Sequence, residues 1–119
     1  MYNSDMLVLV VDDERTLAFL GEAVYARTAG AAIEMLREVA SLDELWLDHD
    51  LGEGGDGYAV ASYLEERASQ GLPLPIGRIV IHSMNPVGAQ RMQRALERFY
   101  VVDVTPYASV TGDQLSLPG

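Results

Sequence analysis

Two short apolar runs, each followed at once by acidic residues, are the feature that most limits what this chain can fold into. Residues 6–11 read MLVLVV and precede Asp12 and Asp13, whereas residues 45–47 read LWL and precede Asp-His-Asp at 48–50. Apolar runs without polar alternation are typical of strands that are buried on both faces, as in a parallel sheet. Both runs therefore predict central strands that carry carboxylates at their carboxyl ends.

The rest of the chain alternates between strand-like and helix-like segments. The patterns predict five strands, over 6–11, 23–27, 45–48, 78–82 and 100–104. Apolar residues at helical spacing predict three helices, over 30–39, 57–69 and 87–99, and about one helical turn over 16–20. Thr28 and Asp56 are the expected N-caps of the first two helices, and Pro86 suits the first turn of the third.

Strands that alternate with helices predict an α/β fold with a parallel sheet and right-handed crossovers. Five strands favour the flavodoxin-like order 2-1-3-4-5. In that order the carboxyl ends of the first, third and fourth strands open into one crevice. The polar residues at those ends are Asp12, Asp13, Asp48, Asp50, His82 and Ser83.

Size, charge and composition exclude several classes of protein. We expect the 119 residues to form a single domain with a core over about 6–107 and a tail over 108–119. The absence of cysteine excludes disulfides and thiolate metal sites. A net charge of −10, with arginine as the only basic residue type, disfavours binding to long duplex nucleic acid. No apolar run is long enough for a membrane span and no signal peptide is visible, which predicts a cytoplasmic protein.

Carboxylates that meet in one crevice repel each other, so either one is protonated or a divalent cation lies among them. Ligation by oxygen atoms alone is typical of Mg²⁺ sites, and Mn²⁺ or Ca²⁺ could take the place of Mg²⁺. The candidate ligands are Asp12, Asp13, Asp48 and Asp50. A cation at this position would attract phosphate oxygens, which predicts a small phosphate-bearing ligand.

The other polar residues each allow two interpretations. His82 could carry a proton in catalysis, together with Asp48 and Asp50, or it could be a strand-end histidine with a structural role. Ser83 and Asn85 could bind phosphate or cap the helix that follows. Arg15 could hold a phosphate or form an ion pair. His49, on the opposite side of the strand from its aspartate neighbours, is expected to pack against the protein.

The order of these motifs resembles that of response-regulator receiver domains. The shared features are two aspartates after strand one, an aspartate after strand three, a serine after strand four and a proline after strand five. The resemblance implies that Asp12, Asp13 and Asp48 are metal ligands, with a backbone carbonyl near Asp50. The chain departs from the receivers in having Thr105 where they have a lysine. Its first helix is shortened and its last helix is vestigial.

A more specific resemblance is to the cyclic-phosphate processing receiver domain family. It is carried by the segments LDHDLG (47–52), DGY (56–58) and IHSMNPVGA (81–89), with Asp12-Asp13 and Arg15. The resemblance covers about residues 7–105 and implies a bacterial or phage protein that acts on cyclic phosphates, including cyclic nucleotides or RNA ends.

Three functions remain open at this point. The first is a metal-dependent phosphoesterase that acts on cyclic phosphates. The second is a signalling receiver that is phosphorylated on Asp48, against which the missing lysine argues. The third is a non-catalytic protein that binds a cyclic nucleotide.

Overall fold

The computed structural model describes residues 7–14, 16–17, 20 and 22–106. Within these residues the strands are β1 (Val8–Val11), β2 (Val24–Ala26), β3 (Leu42–Leu47), β4 (Ile76–Ser83) and β5 (Val102–Pro106). The helices are α1 (Ala29–Glu38), α2 (Gly57–Ser69) and α3 (Pro86–Leu96), with a short 3₁₀ turn at Gly52–Gly54. The side chains of Thr28 and Asp56 accept N-cap hydrogen bonds as predicted.

The five strands form one sheet in the order β2-β1-β3-β4-β5, and every neighbouring pair is parallel. This confirms the predicted fold class and strand order. Val11 pairs with Leu47, Leu47 with Ile81, and Ile81 with Val104. Because these register partners lie near the carboxyl ends of their strands, the residues that follow them meet at one edge of the sheet.

The two faces of the sheet are covered differently. One face packs against α1, α2 and α3, and its strand residues include Leu9, Val11, Leu45, Leu47, Ile79 and Ile81. The opposite face has a smaller core formed by Val8, Val10, Trp46, Val80 and Leu17. Leu17 comes from the short connection between β1 and β2, where the Leu20 N–H donates to the Leu17 carbonyl (2.9 Å). This bond agrees with the turn predicted there, of which residues 18 and 19 lie outside the described part.

Several boundaries differ from the predicted ones because tertiary contacts decide them. β3 begins at Leu42 rather than at residue 45, since its polar amino end pairs along β4. α3 ends at Leu96 rather than at residue 99, because the Phe99 and Tyr100 N–H groups both donate to the Leu96 carbonyl. β5 therefore begins at Val102 and continues to Pro106.

The remaining predictions about the chain ends lie outside the described residues. They concern Met6 in the first strand, Arg15 beside the acidic pair, and the tail over 108–119. None of the helices in the described part is long and apolar enough to span a membrane.

Candidate functional site

Three aspartates meet where β1 and β3 end. Asp12, Asp13 and Asp48 each offer a carboxylate oxygen, and the three oxygens lie within 4.8 Å of one another. The parallel pairing of Val11 with Leu47 brings the residues that follow each strand to the same place. Asp12 is fully buried and Asp48 is 5% exposed. The predicted convergence of acids from separate strands is therefore present for these three residues.

The environment of Asp48 opposes its negative charge. Burial, together with the negative charges of Asp12 and Asp13, raises the pKa of the Asp48 carboxyl to about 7. Hydrogen bonds from the backbone N–H groups of His49 and Asp50 lower the pKa only in part. The site consequently favours either a proton on Asp48 or a cation among the three carboxylates.

An open cleft of about 350 Å³ gives access to the carboxylates of Asp13 and Asp48. It is lined by Asp13, Glu14, Asp48, Asp50, Gly52 and Met84. Gly52 has a φ of +59°, which favours glycine, and a Cβ there would lie 3.0 Å from Asp13 Oδ2. Glycine at this position therefore keeps the Asp13 side of the cleft open. Throughout, "the acidic cleft" refers to this depression.

The donor set fits a hard divalent cation. Mg²⁺ binds oxygen at about 2.1 Å, so the ligands of an octahedral ion lie about 3 to 4.2 Å apart. The three aspartate oxygens lie within 4.8 Å of one another, so a small adjustment or a bridging water would let them share one ion. The three aspartates thus match the predicted ligands Asp12, Asp13 and Asp48 and could hold a divalent metal.

Asp50 lies beside this group rather than within it. Its side chain is 70% exposed, and its Oδ1 lies 3.1 Å from His49 Nδ1. β3 has already ended at Leu47, and Asp50 forms an isolated antiparallel bridge with Asp56. Asp50 lines the acidic cleft, so its predicted roles in metal binding and catalysis stay predictions.

His49 is held by the start of α3. Its side chain is 12% exposed, and a Cβ on Gly88 would overlap its ring, approaching Nε2 to 2.6 Å. Gly57 is similarly close to the loop after β3, because a Cβ on Gly57 would overlap the carbonyl oxygen of Asp48. Two glycines of the sequence motifs therefore allow the loop after β3 to pack against α2 and α3.

His82 lies on the same side of the sheet as the smaller core. It is fully buried, with its ring centroid 5.9 Å from that of Trp46 and its Nδ1 3.9 Å from Asp12 Oδ2. His82 is not among the described residues that line the acidic cleft. Its contact with the site runs through Asp12, and proton transfer from His82 to a substrate stays a prediction.

Ser83 and Asn85 both organise the start of α3. The Ser83 hydroxyl accepts a hydrogen bond from the Asn85 N–H (3.0 Å), and the Asn85 side chain accepts one from the Gly88 N–H (2.9 Å). Both contacts fit the capping interpretation. The Ser83 hydroxyl can still donate its own proton, since a hydroxyl is both donor and acceptor.

Arg27, which immediately follows β2, was not among the predicted site residues. Its guanidinium donates to the backbone carbonyl of Asp12 (3.1 Å) and places a positive charge beside the acidic end of β1. Its position at the same sheet edge as Asp12 was the available signal. Met84 and Gly52 were also missed as cleft residues, because each lies in a turn whose direction strand patterns do not predict.

This fold and the three clustered aspartates define a receiver-like α/β domain with a candidate divalent-metal centre. The receiver domain of the histidine kinase CKI1 from Arabidopsis thaliana, solved as a mutant, has the same fold with a TM-score of 0.62 at 18% identity, over 94% of this chain and 85% of that chain. A fusion protein that contains the trimeric coiled coil of yeast Spc42 gives a TM-score of 0.64 at 20% identity, over 98% of this chain and 77% of that chain.

The family is shown by sequence. Residues 7–98 match the model of the cyclic-phosphate processing receiver domain, and the chain belongs to this family. A comparison with the curated proteins gives no match. The resemblance found from the DHDLG and HSMNPVGA segments is thereby confirmed, whereas the two solved structures support the fold alone.

Proposed function

We propose that this protein is a divalent-metal-dependent phosphoesterase that hydrolyses cyclic phosphates. The observation that carries the proposal is the cluster of Asp12, Asp13 and Asp48, of which Asp13 and Asp48 line an open cleft, in a chain of the cyclic-phosphate processing family. The raised pKa of Asp48 adds to it, because burial and the neighbouring negative charges oppose the ionised form of this carboxyl.

The three aspartates would hold the cation, with Mg²⁺ as the first choice and Mn²⁺ or Ca²⁺ as substitutes. When bound, such an ion supplies positive charge for the phosphate oxygens and lowers the pKa of a coordinated water. The net charge of −10 would otherwise repel a phosphate, so the substrate and the metal are expected to bind together. The expected substrates are cyclic nucleotides or the 2′,3′-cyclic phosphate of an RNA end.

We assign to Asp50 the role of acting on the attacking water. Its carboxylate is exposed and lines the cleft beside Asp48, so it can accept the proton that the water loses. The water oxygen forms a bond to phosphorus, one ring P–O bond breaks, and the released oxygen takes up the proton that Asp50 accepted, directly or through solvent. The product is a phosphomonoester. In this scheme His82 is a positioning residue, since its buried ring lies against Asp12.

The direct test is hydrolysis of 2′,3′-cyclic AMP and 2′,3′-cyclic CMP by the full chain with Mg²⁺ or Mn²⁺, and with a chelator. We expect a nucleoside monophosphate product that requires metal, and a loss of about 100-fold or more in kcat/KM for Asp48→Asn. The matched control is Asp103→Asn. Asp103 lies on β5 and does not line the acidic cleft, and its carboxylate forms an ion pair with Arg78 on β4. This control should retain turnover within about twofold.

Two other outcomes would contradict the proposal. A labile phosphoryl adduct after incubation with acetyl phosphate, absent in Asp48→Asn, would favour a signalling receiver. Thr105 at the register position beside His82 argues against that outcome, because receivers use a lysine there. Tight calorimetric binding of the cyclic nucleotides without any product would favour a binding protein.

A further inference from the structure

A second depression lies beside the acidic cleft, between α3 and β5. It has a volume of about 600 Å³, within the range of pockets that hold small organic ligands. It is lined by Ser83, Met84, Pro86, Val87, Ala89, Gln90, Gln93 and Val104. Met84 lines both depressions, so this groove and the acidic cleft adjoin at the Met84 side chain. We call it the α3–β5 groove.

The α3–β5 groove combines apolar walls with two carboxamides. Met84, Val87 and Val104 are 72%, 68% and 43% exposed, which leaves apolar surface that a ligand could cover. Gln90 and Gln93 lie one helical turn apart on α3, and each side chain offers both a hydrogen-bond donor and an acceptor. A flat heterocycle has the complementary surface, with apolar faces and donor and acceptor groups along its edge.

The basic residues of the chain are concentrated near α3. The chain has a net charge of −10, but three of its eight basic residues are Arg91, Arg94 and Arg98, on α3 or just after it. Arg91 and Arg94 are exposed and line a separate shallow depression with Tyr58 and Glu65, and the Arg91 guanidinium lies 4.3 Å from the centre of the Tyr58 ring. These arginines therefore offset part of the negative charge near α3 without lining the α3–β5 groove itself.

We propose that the α3–β5 groove is a nucleoside subsite. The base of a nucleoside cyclic phosphate packs on Met84, Val87 and Val104, and its edge bonds to the Gln93 and Gln90 carboxamides. Its phosphate reaches the aspartates through the opening that Met84 shares with the acidic cleft. This inference rests on the proposed function and adds to it the residues that would bind the base, so that cyclic phosphates without a base are poorer substrates.

The first experiment measures binding, with the ¹⁵N-labelled full chain and Mg²⁺. Inorganic phosphate should shift the amide resonances of cleft residues such as Asp13 and Gly52. Adenosine 3′-monophosphate should also shift those of Ala89, Gln93 and Val104. Gln93→Leu should weaken binding of adenosine 3′-monophosphate about tenfold, as expected for the loss of a carboxamide–base contact.

The matched control for this variant is Gln70→Leu, at the exposed carboxyl end of α2. It should leave the affinity for adenosine 3′-monophosphate unchanged. The affinity for inorganic phosphate serves as an internal reference for the fold and the acidic cleft of each variant.

The second experiment measures kcat/KM for 2′,3′-cyclic AMP and for the five-membered cyclic phosphate of glycerol. The wild-type protein should prefer the nucleotide by about tenfold or more, and Gln93→Leu should reduce that ratio towards one. Equal kcat/KM values for the two substrates in the wild-type protein would overturn the inference while leaving the phosphoesterase in place.

Identical shifts from phosphate and from adenosine 3′-monophosphate would also overturn the nucleoside subsite. So would groove shifts that follow protein concentration, since they would indicate a second copy of the chain in the groove. Conversely, groove shifts on nucleotide binding without hydrolysis of any cyclic phosphate would support the subsite and refute the proposed activity.

Discussion

Two histidine–aspartate contacts at the same edge of the sheet differ in depth, and the difference separates their expected roles. His82 Nδ1 lies 3.9 Å from Asp12 Oδ2, and both side chains are buried. His49 Nδ1 lies only 3.1 Å from Asp50 Oδ1, but Asp50 is 70% exposed. The His49–Asp50 contact is the shorter one, but we expect it to stabilise the fold less. Solvent screens an exposed pair, whereas burial strengthens every electrostatic interaction.

The buried contact belongs to the acidic cluster and the exposed one to its rim. Asp12 shares its cluster with Asp48, so anything that changes charge there changes the whole group. Asp50 instead meets solvent in the cleft, while His49 is wedged against Gly88. We therefore expect perturbations of the buried group to alter metal binding and stability, and perturbations of the rim to alter packing or turnover.

The largest expected effect is the pH dependence of stability without metal. The Asp48 pKa is about 7 in the folded chain, against an ordinary value of 3.8 for an aspartate in water. As pH rises between these values, the unfolded chain loses this proton while the folded chain keeps it. The contribution of Asp48 to the unfolding free energy therefore falls, by up to about 4 kcal/mol, and levels off above pH 7.

Urea unfolding of the wild-type protein and of Asp48→Asn, at pH 5 and pH 8 with a chelator, measures this change. The wild-type protein should lose stability relative to the variant as pH rises, and saturating Mg²⁺ should reverse the loss. A difference between the two proteins that does not depend on pH would show that Asp48 is already ionised without metal.

The next effect compares the two histidines directly. His82→Gln should weaken Mg²⁺ binding about 10–100-fold, as expected when a residue that orients a metal ligand is changed. His49→Gln should change it by less than about threefold, because His49 contacts the exposed Asp50 rather than the cluster. The Mg²⁺ concentration at half-maximal thermal stabilisation gives both affinities.

This readout separates metal binding from folding. Loss of the buried His82 also lowers the melting temperature without metal, but a purely structural role would leave the Mg²⁺ midpoint unchanged. Equal Mg²⁺ midpoints for His82→Gln and His49→Gln would show that His82 does not contribute to metal binding.

The sequence was sufficient to predict the sheet and the three clustered aspartates, and the reason is local. Apolar strands reveal where they end, and parallel pairing then fixes which residues meet, as for Asp12 and Asp48. His82 is buried because the β1–β2 connection covers the second face of the sheet, and no local sequence pattern predicts this coverage. Likewise, the side chains of Asp48 and Asp50 would point to the same face only in an extended strand, and β3 ends at Leu47.

A smaller effect tests the packing of His49. Gly88→Ala places a Cβ on the His49 ring and should destabilise the fold by about 1–3 kcal/mol, as expected for overpacking. The matched control is Gly30→Ala in α1, where a Cβ would meet nothing within 4 Å. That change should stabilise the helix by up to about 1 kcal/mol. Chemical denaturation measures both, and a neutral Gly88→Ala would mean that His49 can leave its position without cost.

The smallest expected effect on stability comes from Asp50→Asn, and it is the change that best separates the rim from the buried cluster. An exposed ion pair contributes about 1 kcal/mol or less, so unfolding should shift little. Mg²⁺ affinity should also change little, because Asp50 lies outside the group of three aspartates. If Asp50 accepts the proton of the attacking water, hydrolysis should nevertheless fall about 100-fold or more. A parallel loss of Mg²⁺ affinity and turnover would instead make Asp50 a fourth metal ligand. Unchanged turnover would exclude Asp50 as the proton acceptor and leave Glu14 as the remaining exposed carboxylate among the described cleft residues.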